Sequence, residues 1–112
     1  MRTLVTGGAG FIGSHICQEL LSRGHQVVAV DNLANGRLEN FDEFEDSKNF
    51  EFQNIDILDR GRLDPHFKGV DWVFHMAGLA DIVPSIEKPD LYFDVNVKGT
   101  LNVLEVAKGA GV

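Results

Sequence analysis

The chain has 112 residues, 44% of them hydrophobic and 24% charged, with a formal net charge of −7. That length suits one domain rather than two, the composition is that of a globular protein, and the negative charge argues against a broad basic face for nucleic acid or an anionic membrane. The single cysteine, Cys17, excludes an intramolecular disulfide, no apolar run approaches the roughly 20 residues of a membrane span, and no signal-peptide pattern precedes the first strand, so a cytoplasmic setting is expected.

Thr3, Leu4 and Val5 are short, apolar and β-leaning, and read as a buried strand. Ile12, Ile16 and Leu20 recur at helical spacing and read as a helix. Between them Gly7, Gly10 and Gly13 are spaced G-x-x-G-x-x-G. Gly7 suits the tight turn out of the strand. Gly10, without a Cβ, lets a pyrophosphate approach the backbone. Gly13 lets the helix lie close. The helix would then point free N–H groups and its positive dipole end at that phosphate. Such a glycine pattern is weak by itself, because glycines often only mark turns. Its context, strand before and helix after, gives it weight. Cys17 falls inside this helix and reads as a small buried hydrophobe rather than a catalytic thiol.

Gly24 is placed to end the helix in a left-handed conformation. Val27 to Val30 form a second strand, apolar throughout as a doubly covered parallel strand should be. It closes on Asp31-Asn32. Asp31 lies 18 residues after Gly13, near the ~20 expected of the carboxylate that accepts the adenosine ribose hydroxyls. A carboxylate there repels a ribose phosphate and favours NAD over NADP, although Arg37 is a cation near enough in sequence to favour NADP. The plain alternative is a polar residue that ends a strand.

Asn35-Gly36-Arg37 reads as a turn, and Leu38, Phe41 and Phe44 as a weak helical stripe. Asn49 to Ile55 reads as a third strand, ending in Asp56-Ile57. Asp56 either accepts a hydrogen bond from an adenine amino group, with Ile57 flanking the ring, or simply ends the strand or caps the next helix. Asp59 caps a short helix through Phe67. Val70 to His75 reads as a fourth strand, followed by small residues, Ala77 and Gly78, that permit close approach of a nicotinamide ribose. The four histidines have no metal-ligand spacing, and His75 reads as a packed, hydrogen-bonded residue. Pro84-Ser85 reads as a surface turn. A helix of about 20 residues is expected from Pro89 to Lys108, with Pro89 in its first turn. Asn96 sits beside its apolar face and needs partners, such as a strand-end backbone that it would brace. Gly99, poor in a helix interior, implies close packing there. Gly109 to Val112 reads as a cap, a turn and the first residue of another strand.

The repeated strand-helix order predicts an α/β fold, a partial Rossmann arrangement with parallel strands in the order 3-2-1-4 and helices on both faces. Because the expected last helix would feed a further strand, residues 1–112 read as the amino-terminal portion of an NAD-binding domain.

Five segments in order, Thr6 to His15 (TGGAGFIGSH), Asp31-Asn32-Leu33, Asp56-Ile57, His75 to Gly78 and Asn96 to Thr100, resemble the extended short-chain dehydrogenase/reductase family. Within it the wording is most like the NAD-dependent nucleotide-sugar epimerases and dehydratases of the UDP-glucose 4-epimerase kind. The resemblance implies that Phe11, Ile12, Asp31, Asn32, Asn35, Gly36, Asp56, Ile57, Ala77, Gly78 and Asn96 contact NAD, beside the glycine turn. It also implies a nucleotide-sugar substrate and a homodimer for the full-length protein, with a weak or non-native dimer for these residues alone. The family's catalytic Tyr-x-x-x-Lys is not here: Tyr92 is the only tyrosine and the residue four places on is Asn96. No catalytic residue is therefore assigned, and the 112 residues are expected to be inactive alone. A stand-alone NAD-binding module, or a sister dehydratase, decarboxylase or reductase, is the alternative.

Overall fold

Leu4 and Val5 point to opposite faces of one strand, and both have no exposed surface. The computed structural model, which describes all of residues 1–112, explains this by layering. Strands β1 (Arg2–Thr6), β2 (Gln26–Asp31), β3 (Phe50–Asn54) and β4 (Trp72–His75) form a parallel sheet in the order β3-β2-β1-β4. Helices cover both faces, so successive residues of the central strands, Thr3 to Thr6 and Val27 to Val30, are buried rather than alternate ones. Period 2 survives in the way the residues sort. Leu4, Val28 and Val30 pack with Ile55, Leu63, Phe67 and Val103 on one side. Val5, Val27 and Ala29 pack with Cys17, Leu20 and Phe41 on the other.

Helix α1 (Phe11–Ser22) starts at the glycine turn and stops where Gly24 takes φ +84°. As expected, Asp59 caps α2 (Arg60–Leu63) by accepting the Arg62 N–H at 3.2 Å. The helix tightens into a 3-10 turn at Asp64–Phe67. Phe41 ends another 3-10 turn (Leu38–Phe41) and packs against Phe44, Phe50 and Phe52 with ring centroids 4.9–5.8 Å apart. The three-residue spacing of that stripe thus marks an aromatic cluster rather than a longer helix.

Four expectations change. Pro84-Ser85 lies in a helix, α3 (Ile82–Glu87), not a surface turn. Pro84 is tolerated because first-turn N–H groups have no intrahelical partner to lose. The helix from Pro89 is not uniform: α4 (Pro89–Phe93) passes through a π-helical turn at Asp94–Lys98 into α5 (Gly99–Ala110). Apolar periodicity cannot reveal one widened turn. The helix runs through Gly109 and Ala110, so the cap is Gly111 at φ +77°, with Val112 N–H bonded to the Ala107 carbonyl at 3.0 Å. Finally, β3 and β4 are each shorter than expected. Val70 is buried, yet its N–H bonds to Phe67. Gly99 does mark close packing, since a Cβ there would collide with the Ile57 side chain.

Two tests follow from the packing. A Cβ at Gly8 would lie 2.7 Å from the Ala29 Cβ and 3.2 Å from the Val5 carbonyl oxygen, and neither neighbour is a flexible side-chain end. Gly8→Ala is expected to lower unfolding stability by about 1–3 kcal/mol, measured by urea denaturation. Cys17 has no exposed surface, and burial pushes its thiol up to about 12. Native protein at pH 8 is expected to resist a thiol reagent that labels the unfolded chain rapidly.

Candidate functional site

The carboxyl ends of β1, β2 and β4 open onto one cleft of about 330 Å³. Its floor is the glycine turn. Gly7 takes φ +66°, and a Cβ there would lie 2.7 Å from the Ala77 nitrogen. This glycine therefore serves the turn and also lets the exit of β4 press against it. Gly8 bonds the Val30 carbonyl at 3.2 Å. Gly13 lies close against the Gly7 carbonyl, so it packs on the loop rather than on the strand expected from sequence. The first N–H of α1 to find a backbone partner is that of Ser14, which bonds Gly10 at 2.9 Å. Those of Phe11, Ile12 and Gly13 have none, and no side chain caps the helix. Three free donors at a helix N-terminus form an anion site.

Asp31 stands at the end of β2, 9% exposed. One carboxylate oxygen accepts the Ala9 N–H at 3.0 Å and the other the Leu33 N–H at 2.8 Å. A carboxylate has about four lone-pair sites, so each oxygen keeps one for a ligand hydroxyl. Leu33, a bulky residue at φ +63°, is held in that uncommon conformation by the second of these bonds. A Cβ at Gly36 would sit 2.8 Å from Asp31 Oδ2, so glycine is required against the carboxylate. Arg37 follows, its N–H bonded to the Ala9 carbonyl at 3.0 Å, but it does not line the cleft. Asp56 does line it. It accepts the Leu58 N–H at 2.9 Å and the Asn32 amide at 3.3 Å. The cap of the next helix is Asp59, so that plain role for Asp56 is removed.

A polar network anchored on the fully buried Thr6 holds the third wall. The Thr6 hydroxyl receives the N–H groups of Met76 (3.1 Å) and Ala77 (3.2 Å) and lies 2.6 Å from His75 Nδ1. With both lone pairs used, it must donate to His75. His75 Nε2 then carries the proton and donates to Thr100 at 2.9 Å, and Thr100 donates to the Asn96 carbonyl at 2.6 Å. The ring is neutral, and burial lowers its pKa below the ordinary 6.5. Asn96 closes the wall with a paired bond: its Oδ1 accepts the Leu79 N–H at 2.8 Å and its Nδ2 donates to the Leu79 carbonyl at 2.9 Å. Asn96 thus braces backbone as expected, but the loop at Leu79, four residues past the end of β4, rather than the strand end itself.

Of the residues singled out in the sequence, Gly7, Gly10, Phe11, Asp31, Asn32, Asn35, Gly36, Asp56, Ile57, Ala77 and Gly78 line the cleft. Gly13 and Asn96 do not line it and support it from behind. The Ile12 side chain is 64% exposed on the other side of α1, so only its backbone N–H faces the anion site. Sequence reasoning missed Thr6, Thr100 and Asn102, whose amide holds the Ile57 carbonyl at 3.0 Å. It also missed the lining residues Met76, Leu79, Leu91 and Val95. A buried threonine closing an apolar strand was a signal for Thr6. Nothing local marks Thr100 or Asn102.

Comparison with known proteins agrees with this geometry. Residues 3–112 match the model of the NAD dependent epimerase/dehydratase family. The chain is 45% identical to a UDP-glucose 4-epimerase of Mycolicibacterium smegmatis, covering 100% of this chain and 36% of that protein. It is 41% identical to a UDP-glucose 4-epimerase sequence of Klebsiella pneumoniae, covering 100% of this chain and 84% of that one. Among solved structures it superposes on a Thermus thermophilus UDP-glucose 4-epimerase in complex with NAD with a TM-score of 0.88 at 44% identity, covering 100% of this chain and 35% of that one. A Streptomyces venezuelae dTDP-glucose 4,6-dehydratase with NAD bound gives 0.95 at 36% identity, covering 100% and 37%. The chain thus spans about a third of the length of most of these relatives. On the matched residues and the shared architecture, the chain belongs to the NAD dependent epimerase/dehydratase family.

Proposed function

We propose that these residues form the NAD-holding part of a nucleotide-sugar epimerase of the UDP-glucose 4-epimerase kind. One observation carries the reading: Asp31, with its spare lone pairs, and Gly10 and Phe11, at the start of a helix whose first three N–H groups are free, line a single cleft. The N–H groups hold the pyrophosphate, with Gly10 leaving room for it. Asp31 takes the adenosine ribose hydroxyls, beside Asn32, Asn35 and Gly36. Asp56 and Ile57 receive the adenine. Ala77 and Gly78 lie along the nicotinamide ribose, and Asn96 fixes the segment that carries them. Arg37 lies off the cleft lining, which supports NAD over NADP.

When bound, the cofactor accepts a hydride from the sugar and returns it to the other face of the keto sugar. The proton-transfer groups for that reaction, and the part that selects the sugar, are assigned outside residues 1–112, because no Tyr-x-x-x-Lys occurs here. The likeness to the dTDP-glucose 4,6-dehydratase favours one second reading, a sister dehydratase built on the same cofactor site. The proposed setting is cytoplasmic; no helix is long and apolar enough to cross a membrane. Exposed Phe93, Val97, Leu101 and Leu104 along α4 to α5 support pairing of this face in a full-length homodimer.

Calorimetry on the 112-residue chain tests the assignment. NAD is expected to bind, NADP at least about tenfold more weakly, and Asp31→Ala to lose most of the affinity through an unpaired ribose and an orphaned Ala9 N–H. Equal binding of NADP would reject the role of Asp31. A coupled assay for conversion of UDP-galactose to UDP-glucose is expected to show no turnover by this chain with NAD. Measurable turnover would overturn the placement of the catalytic groups elsewhere.

A further inference from the structure

We infer that His75 is a proton-sensitive positioning residue, whose neutral form keeps the Met76–Ala77 backbone in place and so sets the affinity of the cleft for NAD. This rests on the cofactor reading above. The inference comes from counting hydrogens. The Thr6 oxygen accepts two hydrogen bonds and donates one. Met76 and Ala77 fill its two lone pairs, and its own proton goes to His75 Nδ1. A proton added to the ring must go on Nδ1, because Nε2 already donates to Thr100. Two donors would then face each other across 2.6 Å. One amide must leave Thr6, and the hydroxyl proton is left without an acceptor in a residue that has no exposed surface. Met76 N–H has a second acceptor, the Thr6 carbonyl at 3.0 Å. Ala77 N–H depends on the hydroxyl alone.

Displacement of Ala77 cannot stay local. Its nitrogen lies 2.7 Å from where a Gly7 Cβ would be, so backbone already meets backbone there. A shift of Ala77 moves against the first glycine of the turn that carries the anion site. The ring receives no opposing charge that would stabilise an imidazolium. From β1 it meets Thr6, and from α5 it meets Thr100. Asp94 and Lys98 on the adjoining π turn pair with each other at 3.3 Å at the surface, and Glu105 and Lys108 farther along α5 are exposed. Burial alone shifts its proton equilibrium, toward the neutral ring. The direction follows by linkage. If NAD prefers neutral His75, affinity is full above the ordinary imidazole pKa and falls as pH drops through the lowered value, and binding in that range releases a proton.

The test is NAD affinity from pH 7.5 to pH 5.0 by calorimetry, on wild type, His75→Gln and Thr6→Val. Glutamine offers an acceptor to Thr6 and a donor to Thr100 but does not titrate. Wild type is expected to lose at least about threefold in affinity over that range, with proton release detected from the buffer dependence of the heat. His75→Gln is expected to hold an affinity that stays flat across the range, whatever its level at pH 7.5. Thr6→Val is expected to bind weakly at every pH. Parallel curves for wild type and His75→Gln, whether falling or flat, would overturn the inference, because none of the loss would then belong to His75. Amide hydrogen exchange on the cofactor-free chain reads the switch without NAD. Protection of the Ala77 amide is expected to fall along the titration curve of the His75 ring. Unchanged protection through that titration would also overturn it. Failure of wild type to bind NAD at pH 7.5 would instead reject the cofactor reading, and Ala77 protection would still decide whether His75 controls this turn.

Discussion

Backbone touches backbone where the first strand turns into the first helix. Gly7 lies against the exit of β4, Gly8 against Ala29 of β2, and Gly13 against the carbonyl of Gly7. Side chains at these positions would hold three elements apart by the width of a methyl group. Because they are absent, β1, β2 and α1 converge on one point, and the free N–H groups of the helix open into the space between the strand ends. The cleft is a consequence of that convergence. Its acidic wall follows as well, since the carboxylate of Asp31 reaches the Ala9 N–H of the same turn.

The opposite wall is built by polar side chains. Thr6, His75, Thr100 and Asn96 form one chain of hydrogen bonds from β1 across β4 to the last helix. Every member has a partner, and their directions are mutually consistent for one tautomer of one neutral histidine. A network of this kind, anchored on a fully buried Thr6, fixes geometry more sharply than apolar packing does, because a misplaced member leaves an unpaired donor or acceptor. The π turn at Asp94–Lys98 belongs to the same wall. It contains Asn96, whose side chain holds the Leu79 backbone with two bonds while its main-chain carbonyl receives Thr100. Such widened turns often occur at functional sites.

Belonging to a family constrains less than the shared architecture suggests. A UDP-glucose 4-epimerase and a dTDP-glucose 4,6-dehydratase both superpose on this chain, so its fold does not fix its function. Function has to be read from a site, and these residues contribute a cleft whose lining contains no tyrosine. The physical content of the chain is therefore the geometry of that cleft and the hydrogen-bond network that holds it.

The sequence by itself determined the layered sheet, its strand order and most of the cleft. Continuous apolar strands, helical spacing after the glycine turn, and Asp31 at a strand end are local patterns, and local patterns survive reading in one dimension. Pro84-Ser85, the π turn and the Gly111 cap were misjudged because periodicity is blind to one extra residue in a turn and because proline is permitted in a helix's first turn. The roles of Thr6, Thr100 and Asn102 were decided only in three dimensions. Thr6 and His75 are 69 residues apart, and His75 and Thr100 are 25. No spacing rule joins such residues; the sheet register that places Thr6 beside His75, and the helix laid over β4, bring their hydrogen-bonding atoms together.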